Sequence, residues 1–188
     1  AESMKMDPNK RNFIVAHLGG GISIAPVKGG HIIDVNDASS DGPFSPERTG
    51  SLPLQPFIDL CFSGEFTKKE VQQMVMGKGG LLAYLGTTDA REIERRIAAG
   101  DSTAGEVFAA MAYQIAKEIA AMASVLCGEV AAIVLTGGLA RSALLVDLIS
   151  TRIKFIAPIK VIPGELEMEA LAAGALRVLT GQEKARRY

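Results

Sequence analysis

The sequence contains no tryptophan, and only 5% of its 188 residues are aromatic. Hydrophobic residues nevertheless make up 48% of the chain. The core must therefore be built from alanine, valine, isoleucine, leucine and methionine. A chain of this length buries enough apolar surface to fold as a single domain without disulfide bonds.

Cysteine is scarce as well, since Cys61 and Cys127 are the only two. They form no Cys-x-x-Cys pair and do not show the spacing of a metal site. This usage predicts reduced, mostly buried thiols in a cytoplasmic protein.

The chain also lacks an excess of charge of either sign, with a formal net charge of −1. It has no apolar run of membrane-spanning length, and residues 1–11 lack the apolar core of a signal peptide. We therefore expect neither a nucleic-acid nor a membrane partner. Because residue 1 is not methionine, we interpret the chain as part of a longer protein, with residues 1–11 as a tail.

The first half of the sequence predicts strands joined by glycine turns, then a long loop and short helices. Thr67 and Glu70 have the spacing of a helix capping box. The predicted elements are strands at 13–18, 22–27 and 31–35, a loop at 36–53, and helices at 54–62, 67–76 and 89–99.

The second half alternates helices with strands, which predicts parallel strands joined by a helix. Its longest helix, at 103–127, has Thr103 and Glu106 as its capping pair. An apolar stripe along this helix predicts core packing, through Phe108, Met111, Ile115, Ile119, Met122 and Leu126. The later predictions are strands at 130–135 and 155–162 and helices at 141–152 and 165–179.

Two glycine loops are the candidate binding sites. Gly19, Gly20 and Gly21 follow a strand and lie two residues after His17. Gly137 and Gly138 lie between a buried strand and a helix. Bare backbone and a helix N-terminus both suit phosphate. A hairpin turn at the first loop and a small-residue packing turn at the second are the alternatives. Neither loop has the Walker or the Gly-x-Gly-x-x-Gly pattern.

Together these segments resemble the acetate and butyrate kinase family, within the actin, hexokinase and Hsp70-like ATPase superfamily. The resemblance extends from about Phe13 to Tyr188. It is carried by residues 14–23, 41–48, 78–87, 135–140 and 163–172. The butyrate kinase branch is favoured because Gly20 stands where acetate kinases have asparagine. Thr49-Gly50-Ser51 also replaces a segment in which acetate kinases place an aspartate.

The resemblance implies a ribonuclease H-like α/β ATPase domain, with an antiparallel meander, parallel strands and helices on both faces. It implies in-line phosphoryl transfer from ATP to butanoate with Mg²⁺, giving ADP and butanoyl phosphate. His17 and Arg48 would contact the transferred phosphoryl group. Gly19, Gly20 and Gly21 would face the β- and γ-phosphates, and Gly137 and Gly138 the adenosine. Glu167, or alternatively Glu165, would serve the metal.

Members of this family are about twice as long, with the active site between two domains. We therefore expect this chain to be the C-terminal nucleotide-binding domain, with little activity alone. Its expected partners are the N-terminal domain, a short-chain carboxylate or acyl phosphate, and a second copy in a homo-oligomer. Isobutyrate, propionate or acetate as substrate, a non-catalytic nucleotide-binding module and a sugar-kinase-like relative remain alternatives.

Overall fold

The computed structural model describes residue 1, residues 4–164 and residues 167–185. Within this part, five strands form one mixed sheet in the order β3-β2-β1-β4-β5. The strands are β1 (Phe13–Leu18), β2 (Ile22–Lys28), β3 (His31–Ile32), β4 (Ala132–Gly137) and β5 (Ile159–Pro163). β2 pairs antiparallel with β1 and β3, whereas β4 pairs parallel with β1 and β5. The predicted meander followed by parallel strands is confirmed.

Seven α-helices accompany the sheet in the described part of the chain. They are α1 (Leu54–Phe62), α2 (Lys68–Val75), α3 (Gly80–Leu85), α4 (Ala90–Ala98), α5 (Ser102–Val125), α6 (Ala143–Ile153) and α7 (Glu167–Leu179). No helix of this part is both long and apolar enough to span a membrane. The sequence did not predict α3, because its six residues are too few to establish a helical period.

Helix α5 forms the centre of the core. All six residues of the predicted stripe are buried, from Phe108 at 0% exposed to Met122 at 6%. The helix contacts β1 and β2 of the sheet and packs beside α3, α4 and α6. It begins after Asp101, whose carboxylate accepts a hydrogen bond from the Ala104 amide at 2.9 Å. The predicted cap at Thr103 is therefore wrong, since Asp101 provides a better acceptor two residues earlier.

β3 is shorter than the predicted strand at residues 31–35. Asn36 takes its place beside β2, donating its side-chain amide to the Ile22 carbonyl and accepting from the Ile24 amide. A side chain thus satisfies backbone groups that a longer strand would have paired.

Three further expectations are corrected. Cys61 and Cys127 are both exposed, because α1 packs loosely and Cys127 lies in the turn after α5. β5 begins at Ile159 rather than at Phe155, which is 79% exposed in a turn. β4 begins at Ala132, because the 128–131 segment turns before it joins the sheet.

Candidate functional site

The parallel pairing of β1 with β4 brings the two glycine loops to one edge of the sheet. His17 of β1 is in register with Thr136 of β4. Gly19 therefore follows β1 at the edge where Gly137 ends β4. Ligands of α/β sheets bind at the carboxyl ends of such strands.

His17 lies over the first glycine loop (Gly19, Gly20 and Gly21). Its neighbours Ala16 and Leu18 point into the core, which leaves the half-buried imidazole on the other face of β1. Its Nε2 lies 3.1 Å from the position that a Cβ at Gly19 would occupy. The loop itself is a tight turn, in which the Gly19 amide donates to the Gly21 carbonyl. Glycine at position 19 thus lets the imidazole lie against the turn.

Arg48 reaches the same loop from a distant part of the sequence. A Cβ at Gly21 would overlap its guanidinium group. The Nη1 atom donates to the Ala38 carbonyl at 2.9 Å, and the buried Nε has no hydrogen-bond partner among the described residues. The structure therefore brings His17 and Arg48 to the same glycine loop.

The loop at residues 36–53, here called the Arg48 loop, is stabilised by its own carboxylates. Hydrogen bonds from Ser39 have the largest effect in holding the pKa of Asp37 below its usual range, and a hydrogen bond from Ser40 adds to it. The charge of Arg48 has a smaller effect in the same direction. Two hydrogen bonds, one from the Ser51 hydroxyl and one from the Gly42 amide, likewise lower the pKa of Asp41. The predicted long loop is thus an ordered structure that presents Arg48.

The second glycine loop (Gly137 and Gly138) contains two different kinds of glycine. Gly137 is buried with φ of +92°, and a Cβ there would lie 2.7 Å from the Leu18 carbonyl carbon. Gly137 and Gly164 also exchange two backbone hydrogen bonds. Gly138 is exposed, and no atom lies within 4 Å of the position of its Cβ. The packing alternative therefore applies to Gly137, while Gly138 is free to face a ligand.

Gly138 lies on a cavity of about 390 Å³ beside the N-terminus of α4. Asp89, Arg91 and Glu94 line its α4 side. Ser142, the N-cap of α6, lines the opposite side and donates a hydrogen bond to Glu94. The sequence did not predict the contribution of α4 to this cavity. The N-cap signal of Asp89 was present, but only the fold shows that this helix end faces Gly138.

A larger cavity of about 660 Å³ lies between the Arg48 loop, α3 and α5. Phe44, Tyr84 and Val107 give it a mainly apolar lining. Neither His17, Arg48 nor either glycine loop belongs to this lining. Size therefore does not identify the site in this molecule, whereas the convergence of polar groups does.

The predicted metal ligand Glu167 is the first residue of α7, and its side chain, like all of Glu165, lies outside the described residues. The described residues contain no group of three His, Cys, Asp or Glu side chains close enough to hold a metal. Glu47 does place its Oε1 3.6 Å from the Cβ position at Gly20. One or two carboxylates plus substrate phosphates are the usual ligands of Mg²⁺, so the residues fit that ion.

Comparison with known proteins decides the family. Residues 1–170 match the acetokinase family. The chain belongs to this family. It is 56% identical over its whole length to the probable butyrate kinase 2 of Caldanaerobacter subterraneus subsp. tengcongensis, of which it covers 53%. It is 48% identical to butyrate kinase 2 of Clostridium acetobutylicum, again covering 53% of that protein.

Two solved structures of this kind confirm the fold class. The acetate kinase of Porphyromonas gingivalis superimposes with a TM-score of 0.86 at 24% identity, over 95% of this chain and 51% of that one. A propionate kinase from Francisella tularensis gives 0.79 at 25% identity, over 89% of this chain and 49% of that one. The ribonuclease H-like ATPase fold, a mixed sheet with helices on both faces, is thus confirmed. The chain spans about half the length of the curated relatives it matches.

Proposed function

We propose that this chain is the nucleotide-binding half of a carboxylate kinase acting on butanoate. A carboxylate oxygen of butanoate attacks the γ-phosphorus of ATP, and the bond to the β,γ-bridging oxygen breaks. The products are butanoyl phosphate and ADP. The observation that carries this proposal is the convergence of His17 and Arg48 on the first glycine loop. The names of the similar butyrate kinases support the choice of acceptor.

His17 and Arg48 stabilise negative charge on the phosphoryl group during transfer. In a loose transition state this charge spreads over the equatorial oxygens, so placed hydrogen-bond donors supply most of the catalysis. The Arg48 guanidinium retains donors that no described residue uses. Arginine suits this position because its planar fork binds two oxygens at once.

The nucleotide extends from the first glycine loop towards the second. Gly19, Gly20 and Gly21 offer bare backbone to the β- and γ-phosphates. The adenosine end occupies the cavity between Gly138 and the start of α4. Mg²⁺ would neutralise phosphate charge, held by phosphate oxygens with Glu47 and, as the resemblance implies, Glu167.

Two measurements test this function. Isothermal titration should show that the chain binds ADP, and that Gly138→Val, which fills the cavity, weakens this binding.

A hydroxamate assay with ATP, Mg²⁺ and butanoate should detect little product from the chain alone. Half of the cleft is expected from the other domain, and transfer depends on close positioning. Turnover typical of a kinase from the chain alone would contradict this division of the site.

A non-catalytic nucleotide-binding module is the second candidate, because the cavity between Gly138 and the start of α4 would serve it equally well. It predicts ADP binding but no hydroxamate after the chain is joined to the N-terminal half of a butyrate kinase. Comparing butanoate, isobutyrate, propionate and acetate in that fusion would identify the acceptor. A cytoplasmic location, expected from the cysteine usage, and self-association, expected from the family resemblance, stay predictions.

A further inference from the structure

The turn that carries Arg48 is linked to the first glycine loop by one buried side chain. Ser45 is 1% exposed, and its Oγ donates to the Gly20 carbonyl at 2.6 Å. The two residues are 25 positions apart in sequence. Gly20 itself is exposed, so this hydrogen bond holds a solvent-exposed loop against a buried side chain.

The same turn, residues 45–48, is fixed on its other side by backbone hydrogen bonds. Ser45 first closes it, donating its amide to the Arg48 carbonyl at 3.0 Å. The segment entering α3 then donates to three carbonyls of the turn. The pairs are Gly77 and Gly79 to Glu47, Leu81 to Ser45, and Leu82 to Pro46.

Gly80 shows how closely this segment approaches the turn. Its φ is +60°, and a Cβ there would overlap the Ser45 carbonyl oxygen and lie 2.8 Å from the Arg48 carbonyl oxygen. The start of α3 therefore lies directly against the turn. Ser45 has its amide, carbonyl and hydroxyl all paired, each to a different segment.

We propose that Ser45 is a positioning residue that locks the first glycine loop to the Arg48 turn. His17 lies against Gly19 and Arg48 against Gly21. A displacement of the loop relative to the turn would therefore separate the two side chains that the proposed function requires. The importance of this alignment rests on the proposed function, but the lock itself is a property of the free chain.

Hydrogen exchange of the ligand-free chain tests the lock directly. In Ser45→Ala, we expect the Gly19 amide to exchange about tenfold faster, because the Gly20 carbonyl loses the hydrogen bond that holds this loop in place. Amides of Ile115 and Ile119 in α5 should change much less. The matched control is Ser124→Ala, since Ser124 also donates at 2.6 Å to a main-chain carbonyl but within its own helix.

If hydrogen exchange at the Gly19 amide is unchanged, Ser45 does not lock the loop. If exchange accelerates equally at Gly19 and in α5, Ser45 contributes to stability in general, and the lock is again overturned. Ser45→Cys keeps a weaker donor and serves as the second variant if Ser45→Ala does not fold. Its Gly19 exchange should lie between that of the original chain and the tenfold increase, and unaltered exchange there would also overturn the lock.

Nucleotide titration separates this proposal from the proposed function. In Ser45→Ala, affinity for ADP should fall about tenfold, while affinity for AMP, which lacks the β-phosphate, should stay within about twofold. Equal losses for both ligands would contradict a role at the phosphate end. If the original chain binds neither nucleotide, the proposed function fails, and the exchange measurement still decides the lock.

Discussion

The two glycine loops lie at the same edge of one sheet, yet their glycines are required for different reasons. At the first loop, side chains occupy the space. His17 lies against Gly19 and the Arg48 guanidinium against Gly21. At the second loop, backbone occupies the space, since Gly137 packs on Leu18 and pairs with Gly164.

This difference separates the functions of the two loops. The contacts over the first loop are made by side chains, which can move when a residue changes. Backbone packed on Gly137 belongs to the sheet and cannot move without loss of strand pairing. A Gly-Gly pair in sequence therefore does not show whether a glycine serves a ligand or the fold.

The largest expected effect is at the second loop. Gly137→Ala places a Cβ against Leu18 at a φ of +92°, and should cost about 3 kcal/mol of unfolding free energy. Gly138→Ala is the control and should cost no more than about 1 kcal/mol, because no atom lies within 4 Å of that Cβ. Urea denaturation measures both. Equal losses would remove the distinction between the two glycines.

The next effect is at the first loop and concerns binding. Gly21→Ala forces the Arg48 guanidinium aside, so affinity for ATP, which carries the γ-phosphate, should fall about tenfold while stability changes little. Gly105→Ala is the control, since Gly105 lies in α5, outside both loops, and no atom lies within 4 Å of its Cβ position. Isothermal titration and urea denaturation separate the two properties. A stability loss as large as that of Gly137→Ala would show that both loops serve the fold alike.

A smaller effect is expected where the second loop leads into α6. Ser142 accepts from the Leu145 amide as the N-cap, and Ser142→Ala should cost about 1 kcal/mol. Ser142→Thr keeps the hydroxyl and should retain most of this contribution in urea denaturation. If alanine and threonine behave identically, the cap does not stabilise this side of the site.

The smallest effect is a pH dependence of the Arg48 loop. Asp37 and Asp41 have folded pKa values below their unfolded values, so they stabilise the Arg48 loop above about pH 4. This contribution is lost as the pH falls further, through the folded pKa values. As the pH falls, amide hydrogen exchange at Ser39 and Ser40 should then accelerate before amide hydrogen exchange in β4. Asp37→Asn should remove part of this pH dependence. Acceleration of exchange at the same pH in the Arg48 loop and in β4 would contradict this prediction.

Local patterns predicted much of the fold. The stripe from Phe108 to Leu126 identified the buried face of α5, since apolar residues at helical spacing have few alternatives to core packing. The capping box of Thr67 and Glu70 is present in α2. Predictions failed where a distant group intervened. Asn36 replaced the end of β3, and neither the exposure of Cys61 nor that of Phe155 follows from composition.

The candidate site shows the same division. His17 and Gly19 were recognisable because they are neighbours in sequence. Ser45, Glu47 and the start of α4 were missed, because their positions beside Gly20 and Gly138 arise from contacts between distant segments.

By itself, the sequence determined the sheet and helix pattern, the core face of α5 and the motifs that mark an acyl kinase family. Those features depend on residue spacing along a few turns or strands. Only the tertiary structure decided that Arg48 lies on Gly21, that Ser45 fastens its turn to Gly20, and that Gly137 serves packing. Each of these depends on which backbone atoms approach one another after folding, and local periodicity does not specify such distances.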